Sequence, residues 1–512
     1  MLNKEYLLND YNSLVLSIHK CILRKDFEKA LQLIDLAAKL AYQYNFLPTF
    51  TDPQLEDYIN TITKLNHEEV VISGLENKII FYDYFGYDNR GLTQQYLRAL
   101  MQLEKEIVYI LEVPNQYYSS TDIFNELQAY PKSKIYTLTE TSNLGKIKEV
   151  IEILKYEKPS KAFLHLAPWD VVACTAFNVT KGIQRFQINL TDHAFWLGSN
   201  ITDINLEFRS FGYNLSIQGR GMDNSKLKIL PYYPIVNQHP FKGLPAQTKG
   251  KKIIFSGGSI YKILGEELLF LQSIKELLSI DPDLVFVFAG SGSTDTIIKF
   301  IEKNSLENRF FLIGDRKDIS SVLQNVDYYL TTFPFTGALM SQIAAATATP
   351  IFFFSKPDYQ CNDLRDLYFK IPKLESFEIV DDLIKGFKAA YKNKAYLNNY
   401  GLALQESMIT PNEFAEGLNQ IIEGKNPYSY LQQSLVVKTH QKLFYNYLIE
   451  SENSYNPQYK NIVLNYLSTA HERKTFLPSF YKREQAKNWE IDKIRFLKNW
   501  IRLIFPARHK LM

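Results

Sequence analysis

The stretch Phe255-Ser256-Gly257-Gly258-Ser259-Ile260-Tyr261-Lys262 joins an apolar strand, which starts at Lys251, to a segment with the apolar spacing of an amphipathic helix. The same strand–loop–helix pattern recurs downstream, with further apolar strands over residues 284–288, 309–313, 326–330 and 351–354. Strands that alternate with helices predict a parallel sheet with helices on both faces. Because ligands of such sheets bind at the carboxyl ends of the strands, we expect a ligand site along that edge.

Glycine is frequent at these predicted strand ends, at Gly257, Gly258, Gly290, Gly292 and Gly314. Glycine lets the backbone approach a bound group closely, and the N-terminus of a following helix offers free N–H groups to an anion. A phosphate-bearing ligand is therefore the first expectation. Glycine at a strand end also simply permits a tight turn, so each loop taken alone supports either interpretation.

The composition and charge of the chain limit the classes of protein to which it can belong. A chain of 512 residues is too long for one compact core, so we expect two or three domains. With 58 basic and 55 acidic side chains, the net charge of +3 gives no support for a general nucleic-acid binder. The three cysteines match no metal-binding spacing, and no apolar run reaches transmembrane length. The first residues lack the core of a signal peptide, so we expect a cytoplasmic protein.

The chain divides into four expected regions. Residues 1–75 read as a helical extension, and residues 76–235 repeat the strand–helix alternation. Residues 236–425 hold the glycine-rich α/β region, and residues 426–512 read as a second helical extension. The segment 230–250, which is rich in proline and polar residues, is the expected hinge between the two α/β regions.

Five motifs carry a resemblance to a known family. They are FSGGSIYK at 255–262, FVFAGSGS at 286–293, FFLIGDR at 310–316, DYYLTTFPFTG at 327–337 and ATPIFF at 348–353. Over residues 77–425 this pattern resembles a GT-B glycosyltransferase. The resemblance implies an α/β fold with two tandem Rossmann-like domains, here flanked by helical extensions. It implies that the C-terminal domain binds a nucleotide-sugar donor, which is a substrate rather than a cofactor. It also implies that the N-terminal domain binds a glycan, lipid-linked or protein acceptor.

The resemblance also places the donor contacts. The positions that match the family's donor loops are Gly257, Gly258, Lys262, Gly290, Gly292, Asp315, Arg316, Phe335, Thr336 and Gly337. The glycines and Lys262 fall at the diphosphate, and Asp315 and Arg316 fall near the base. Phe335, Thr336 and Gly337 fall where family members contact ribose and phosphates.

One departure from the family pattern keeps other functions open. Many retaining members carry two glutamates eight residues apart, but Phe335 and Ile343 stand at the best-matching positions here. The Phe-Pro-Phe-Thr-Gly run is closer to inverting protein glycosyltransferases. A nucleotide-sugar transferase for surface polysaccharide or glycoconjugate synthesis is the first hypothesis. A sugar-nucleotide epimerase of the same fold and a non-catalytic partner subunit are the alternatives.

An inverting transfer needs a general base, and a histidine titrates near neutral pH. His193 follows a predicted strand and is the leading candidate, with Asp192 as its orienting partner or as the base itself. Adjacent residues on an extended segment point in opposite directions, which argues against a contact between the two. His165 lies at a comparable strand end. Trp169, Asp170 and Arg90 are candidates for acceptor or phosphate contacts.

The sequence shows no metal-binding motif of the kind that holds Mg²⁺ in the other major glycosyltransferase fold. Asp281-Pro282-Asp283 has a similar spacing, but it lies between a predicted helix and a strand and reads as a turn. We therefore expect no metal, and we expect cationic side chains and helix N-termini to stabilise the leaving diphosphate instead.

The C-terminal residues combine an apolar and a basic stripe. Ile491, Ile494, Leu497 and Ile501 recur at helical spacing, and Arg495, Lys498 and Arg502 form the second stripe. A basic amphipathic helix with a tryptophan can bind a membrane surface, which would place the protein peripherally on the inner membrane face. The same stripe can instead pack on the protein.

Removal of residues 491–512 is expected to reduce binding to anionic vesicles, since the basic stripe is attracted to anionic lipid and that attraction is screened by salt. Vesicle sedimentation at low and high salt measures this effect, with nucleotide binding as the control for folding. Full-length protein that does not bind anionic vesicles at low salt would contradict the membrane interpretation.

Overall fold

A computed structural model describes residues 1–88, 92–112, 120–236, 239–371, 373–437, 441–467 and 472. The described chain forms two compact units. The first comprises residues 1–207, 212–228 and 452 onward, and the second comprises residues 208–211 and 229–451. No helix in these described ranges is long and apolar enough to cross a bilayer. The stretch 491–512, which carries the membrane prediction, lies outside them.

The helices are α1 (Lys4–Leu23), α2 (Phe27–Tyr44), α3 (Pro53–Asn66), α4 (Thr93–Gln102), α5 (Thr121–Ala129), α6 (Asn143–Glu157), α7 (Val171–Val179), α8 (Ser210–Gln218), α9 (Leu269–Ser279), α10 (Asp295–Lys303), α11 (Ile319–Leu323), α12 (Ala338–Ala346), α13 (Val380–Ala390), α14 (Lys394–Ser407), α15 (Pro411–Ile422), α16 (Gln441–Ser454) and α17 (Tyr459–Tyr466).

The strands are β1 (Val70–Val71), β2 (Leu75–Asp83), β3 (Glu106–Leu111), β4 (Ser133–Thr137), β5 (Pro159–His165), β6 (Thr180–Lys181), β7 (Gln184–Ile188), β8 (Ile204–Glu207), β9 (Leu227–Ile229), β10 (Lys252–Gly257), β11 (Leu284–Ala289), β12 (Phe310–Leu312), β13 (Tyr328–Leu330), β14 (Ile351–Phe354) and β15 (Ser376–Phe377).

The first unit is built on a seven-stranded sheet in the order β4-β3-β2-β5-β7-β8-β9. The pairings of β2 with β3 and with β5 are parallel, and they set Asp83 opposite both Leu111 and His165. After β2 the chain adds β3 and β4 on one side, and β5 then starts the other side. The strand order therefore reverses between β2 and β5, which is where a sheet of this type leaves a crevice for a ligand.

The second unit repeats this arrangement with six strands in the order β12-β11-β10-β13-β14-β15. The pairings of β10 with β11 and with β13 are parallel, so the order reverses between β10 and β13. The strands read as near-continuous apolar runs because helices cover both faces of a parallel sheet. β11 is buried along its whole length. The prediction of an α/β fold with parallel sheets is confirmed.

Helices at both ends of the chain pack on the first unit. α2 contacts α1, α6 and α7, and α17 packs on α2. Asp26 caps the N-terminus of α2, where its carboxylate accepts a hydrogen bond from the N–H of Lys29, and Asn45 caps the C-terminus in the left-handed conformation. Its apolar face is buried from Ala30 to Ala41. The helical character expected for the N-terminal residues is thus present.

The core of the first unit depends on aromatic side chains of the central strands. Phe163 of β5 is fully buried and stacks on Phe186 of β7, with 4.9 Å between ring centroids. Phe81 of β2 stacks on Tyr109 of β3 in the same layer. Aromatic burial of this kind dominates the energetics of a core.

Replacement of Phe163 by alanine is expected to lower the free energy of unfolding by about 3–5 kcal/mol, because the change leaves a cavity beside Phe186. Tyr156→Ala is the matched control, since the Tyr156 side chain is 74% exposed on α6. It is expected to cost less than about 0.5 kcal/mol. Urea denaturation followed by fluorescence measures both values. A loss below about 1 kcal/mol for Phe163→Ala would contradict this account of the core.

Candidate functional site

Two glycine loops at the carboxyl edge of the second sheet pack backbone against backbone. The N–H of Gly258 donates to the carbonyl of Ala289 over 2.9 Å, and the N–H of Ile260 donates to that of Ser291 over 2.9 Å. A Cβ atom on Gly290 would lie 1.8 Å from the Gly258 carbonyl oxygen. Gly258 also has a φ of +144°, which side chains rarely adopt. The loops after β10 and β11 can therefore pack against each other only because Gly258 and Gly290 have no side chains.

Lys262 lies over this glycine loop without a counter-ion. A Cβ atom on Gly258 would lie 3.6 Å from the Cδ of Lys262. The side chain is half-buried, and burial lowers the pKa of its ammonium group. No carboxylate within the described residues forms an ion pair with it. A half-buried cation without a partner is stabilised by an anionic ligand.

The N-terminus of α12 faces the same loop. Gly337 precedes the helix in an extended conformation, and no side chain caps the first turn. A Cβ atom on Gly337 would lie 4.0 Å from the Gly257 carbonyl oxygen, and one on Gly257 would lie 2.8 Å from the Cε of Met340. The first N–H groups of a helix have no partner inside the helix, and its dipole favours an anion there. Lys262, the Gly257 loop and the start of α12 form what we call the anion site.

Phe335 and Thr336 lie beside the anion site with local partners. The Phe335 ring packs edge-on against Tyr261, Phe444 and Tyr447. The Thr336 hydroxyl donates to the carbonyl of Thr332 over 3.3 Å, and its N–H donates to the Asn362 side chain over 3.2 Å. These contacts fix the Phe335-to-Gly337 segment in front of α12. Ribose contacts for Phe335 and Thr336 stay a prediction.

Asp315 and Arg316 follow β12. Arg316 donates through its Nε and one terminal nitrogen to both oxygens of the buried Asp318, over 2.7 and 2.6 Å. The bidentate hydrogen bond from Arg316 holds the pKa of Asp318 well below its usual range. Arg316 also donates to the Gly243 carbonyl, over 2.9 Å. This guanidinium therefore ties the Gly243 segment to the β12 loop, while the exposed Asp315 is open to solvent. Contacts of either residue with a base stay a prediction.

In the first unit, His193 and Asp192 touch each other, which corrects the expectation that they point apart. They lie in a turn rather than on an extended segment, and the His193 Nδ1 is 3.1 Å from Asp192 Oδ1. The Asp192 side chain is 2% exposed, whereas that of His193 is 38% exposed. The buried carboxylate can orient the ring, and the ring remains accessible to a substrate.

Arg220 holds this turn in place, and no sequence signal pointed to it. Its guanidinium donates to the carbonyl oxygens of Asp192 and Ala194, over 3.0 and 2.7 Å, and lies 5.1 Å from the centroid of the Trp196 ring. Burial lowers the pKa of Arg220 to about 10, partly offset by the charge of Glu207. The contacts that fix His193 thus come from a residue 27 positions later in the chain.

A buried aspartate–histidine pair occupies the switch point between β2 and β5. His165 Nδ1 is 3.0 Å from Asp83 Oδ1, and Thr93 and Tyr109 both donate to Asp83 Oδ2 over 2.8 Å. Burial opposes ionisation of Asp83, but these hydrogen bonds outweigh it and keep its pKa below the usual range. The His165 Nε2 is buried without a hydrogen-bond partner in the described chain. The sequence pattern pointed to His165 as a residue at a strand end. It did not point to Asp83, which stands at the predicted start of a loop.

Trp169 and Asp170 follow β5 at the same edge. The Trp169 indole N–H donates to the Tyr84 hydroxyl over 3.1 Å. Asp170 caps α7 by accepting from the N–H of Ala173 over 2.8 Å. Arg90, the third residue predicted to contact acceptor or phosphate, lies outside the described residues. Acceptor roles for all three remain predictions.

Among the described residues, no group of three or more histidine, cysteine or acidic side chains could hold a metal ion. Asp281-Pro282-Asp283 forms the expected turn, in which Asp281 Oδ1 accepts from the N–H of Asp283 over 2.9 Å.

No protein-family model and no curated protein sequence matches this chain. Solved structures do match it. Anabaena HepE in complex with UDP and glucose has a TM-score of 0.51 at 12% identity, over 68% of this chain and 100% of that one. A glycosyltransferase from Rickettsia africae has a TM-score of 0.51 at 12% identity, over 68% and 98%. A mutant O-GlcNAc transferase from Thermobaculum terrenum has a TM-score of 0.50 at 13% identity, over 87% and 83%.

At these identities the similarity concerns the fold. Each unit has a parallel sheet whose strand order reverses beside its first long strand, and the three solved structures named above are GT-B glycosyltransferases. The chain therefore has the GT-B fold, with two Rossmann-like domains and helical extensions.

Proposed function

We propose that this chain is a glycosyltransferase that moves a sugar from a nucleotide sugar to an acceptor hydroxyl, and that the donor's diphosphate binds at the anion site. The observation that carries the proposal is the uncompensated ammonium group of Lys262, whose side chain lies against the glycine loop that also contacts the start of α12. A UDP-sugar is the first candidate donor, because HepE, which shares this fold, is crystallised with UDP and glucose.

The anion site suits a diphosphate for two reasons. Burial removes water from the Lys262 ammonium group, and a diphosphate supplies the opposite charge that raises the pKa of this group again. Glycine has no side chain, so phosphate oxygens can reach the N–H groups at the start of α12. When the sugar leaves, negative charge grows on the diphosphate, and donors that are already in position stabilise it without reorganisation.

His193 is the proposed general base for a single-displacement transfer. Its ring takes the proton of the acceptor hydroxyl while that oxygen bonds to the anomeric carbon. The bond from this carbon to the diphosphate oxygen breaks, and its electron pair leaves with UDP. His193 Nδ1 lies 3.1 Å from Asp192 Oδ1, and the tautomer that donates from Nδ1 to this carboxylate carries its lone pair on Nε2, the proposed base atom. The acceptor would be a glycan, a lipid-linked sugar or a protein, in surface polysaccharide or glycoconjugate synthesis.

Replacement of Lys262 by methionine is expected to weaken UDP binding by roughly 10- to 100-fold, the usual effect of losing a hydrogen bond to a charged group. Titration calorimetry with UDP, GDP, ADP and TDP measures the affinity and the preferred base. Lys388→Met is the matched control, since Lys388 is exposed on α13. A folded wild-type protein that binds none of these nucleotides would overturn the proposed function.

Replacement of His193 by alanine is expected to lower kcat by about two to four orders of magnitude, as loss of a general base does, and to leave UDP affinity unchanged. His19→Ala, on the exposed face of α1, is the matched control. Product analysis with a panel of nucleotide sugars and acceptors follows the reaction, and it also separates transfer from epimerisation. Transfer within a few fold of wild type would remove His193 from the mechanism.

A further inference from the structure

One face of α16 carries two buried aromatic side chains. Phe444 and Tyr447 stand three residues apart and therefore lie on the same side of this helix. Both belong to the second unit, and they are 8% and 2% exposed. Buried aromatic rings contribute much of the packing energy where they lie, so the segments that they contact are held by α16.

Tyr447 contacts the segment that carries Lys262. Its hydroxyl donates to the carbonyl of Tyr261 over 2.5 Å. A Cβ atom on Gly265 would lie 1.9 Å from the Cε2 of Tyr447, so the ring packs directly against the Gly265 backbone. The contacts of Tyr447 therefore lie on both sides of Lys262 in the chain, one residue before it and three residues after it.

The same ring contacts the segment that leads into α12. The centroid of the Tyr447 ring is 4.6 Å from that of Phe335, and the centroid of the Phe444 ring is 4.9 Å from it. The N–H of Phe335 donates to the carbonyl of Lys262 over 3.3 Å. Phe335 stands three residues before the start of α12. Tyr447 thus contacts both segments that form the anion site.

Three consecutive residues after Gly265 are strained. Glu266, Glu267 and Leu268 have φ values of +49°, +54° and +65°, in the left-handed region that side chains rarely adopt. Residues in this region persist where the surrounding structure holds them. The contact between Gly265 and Tyr447 lies immediately before this stretch. It therefore supports the segment that carries the lysine at the point where the backbone is strained.

The Tyr447 hydroxyl is the closer donor to the Tyr261 carbonyl. The N–H of Leu264 also donates to this oxygen, over 3.4 Å. Burial raises the pKa of the Tyr447 hydroxyl, which therefore stays protonated and donates at neutral pH. Loss of the hydroxyl would leave this carbonyl with the longer hydrogen bond and would weaken the attachment of α16 to the Lys262 segment.

We propose that Tyr447 is a positioning residue for the donor, and that it holds the Lys262 segment and the Phe335 segment together so that one diphosphate contacts both the ammonium group and the start of α12. A ligand that needs two separate groups at once binds best when the protein holds them in place beforehand. Tyr447 acts through these segments and need not touch the donor. This inference rests on the proposed function, which it extends from the groups that bind the diphosphate to the residue that orients them.

The test uses the full chain and measures UDP affinity by calorimetry. Tyr447→Phe keeps the ring and removes the hydroxyl, and it is expected to weaken UDP binding by roughly three- to tenfold, the usual effect of losing one neutral hydrogen bond. Tyr445→Phe, on the same helix, is the matched control and is expected to leave UDP affinity unchanged. Circular dichroism and thermal unfolding establish that each variant is folded.

A double-mutant cycle with Lys262→Met separates positioning from a general structural role. If Tyr447 acts through Lys262, Tyr447→Phe is expected to change UDP affinity by less than about twofold once Lys262 is replaced. A general loosening of the fold would instead weaken UDP binding by the same factor in both backgrounds.

Gly265→Ala tests the same contact from the other side. The added Cβ would collide with the Tyr447 ring, so this variant is expected to weaken UDP binding in the wild-type background and to have a smaller effect in the Lys262→Met background. It decides the question by the same criteria if Tyr447→Phe does not fold.

The outcomes separate this inference from the proposed function. If wild-type protein binds UDP, a Tyr447→Phe variant that keeps UDP affinity within about twofold, or weakens it equally in both backgrounds, overturns the positioning role and leaves the anion site in place. Wild-type protein that binds no nucleotide overturns the proposed function and, with it, this inference.

Discussion

Parallel strand pairing is the constraint on which both candidate sites depend. In a parallel sheet all strands end on the same edge, and where the strand order reverses, the two neighbouring loops turn away from each other and leave a crevice. In the first unit this happens beside Asp83 and His165, which pair across β2 and β5. In the second unit it happens beside Gly257, at the end of β10. Lys262 and His193 both lie in segments that follow strands of these two sheets.

The anion site holds a charge that the described chain does not compensate. Lys262 and the start of α12 both lie against backbone that glycine makes accessible, and the missing component is an anion. This arrangement costs stability in the free protein, and an anionic ligand relieves that cost.

Local patterns in the sequence predicted the fold well and the candidate sites only in part. β14 has the expected bounds and β11 exceeds them by one residue, because continuous apolar runs mark buried parallel strands. The Asp192–His193 contact depends on a turn that Arg220 fixes from a distant segment. Such contacts leave no periodic signal.

A crystal structure of the protein with UDP tests the central claim most directly. The account predicts diphosphate oxygens within hydrogen-bond distance of the Lys262 ammonium group and of the N–H groups in the first turn of α12, over the Gly257–Gly258 backbone. UDP bound elsewhere on the chain, with Lys262 still lacking an anionic partner, would contradict it.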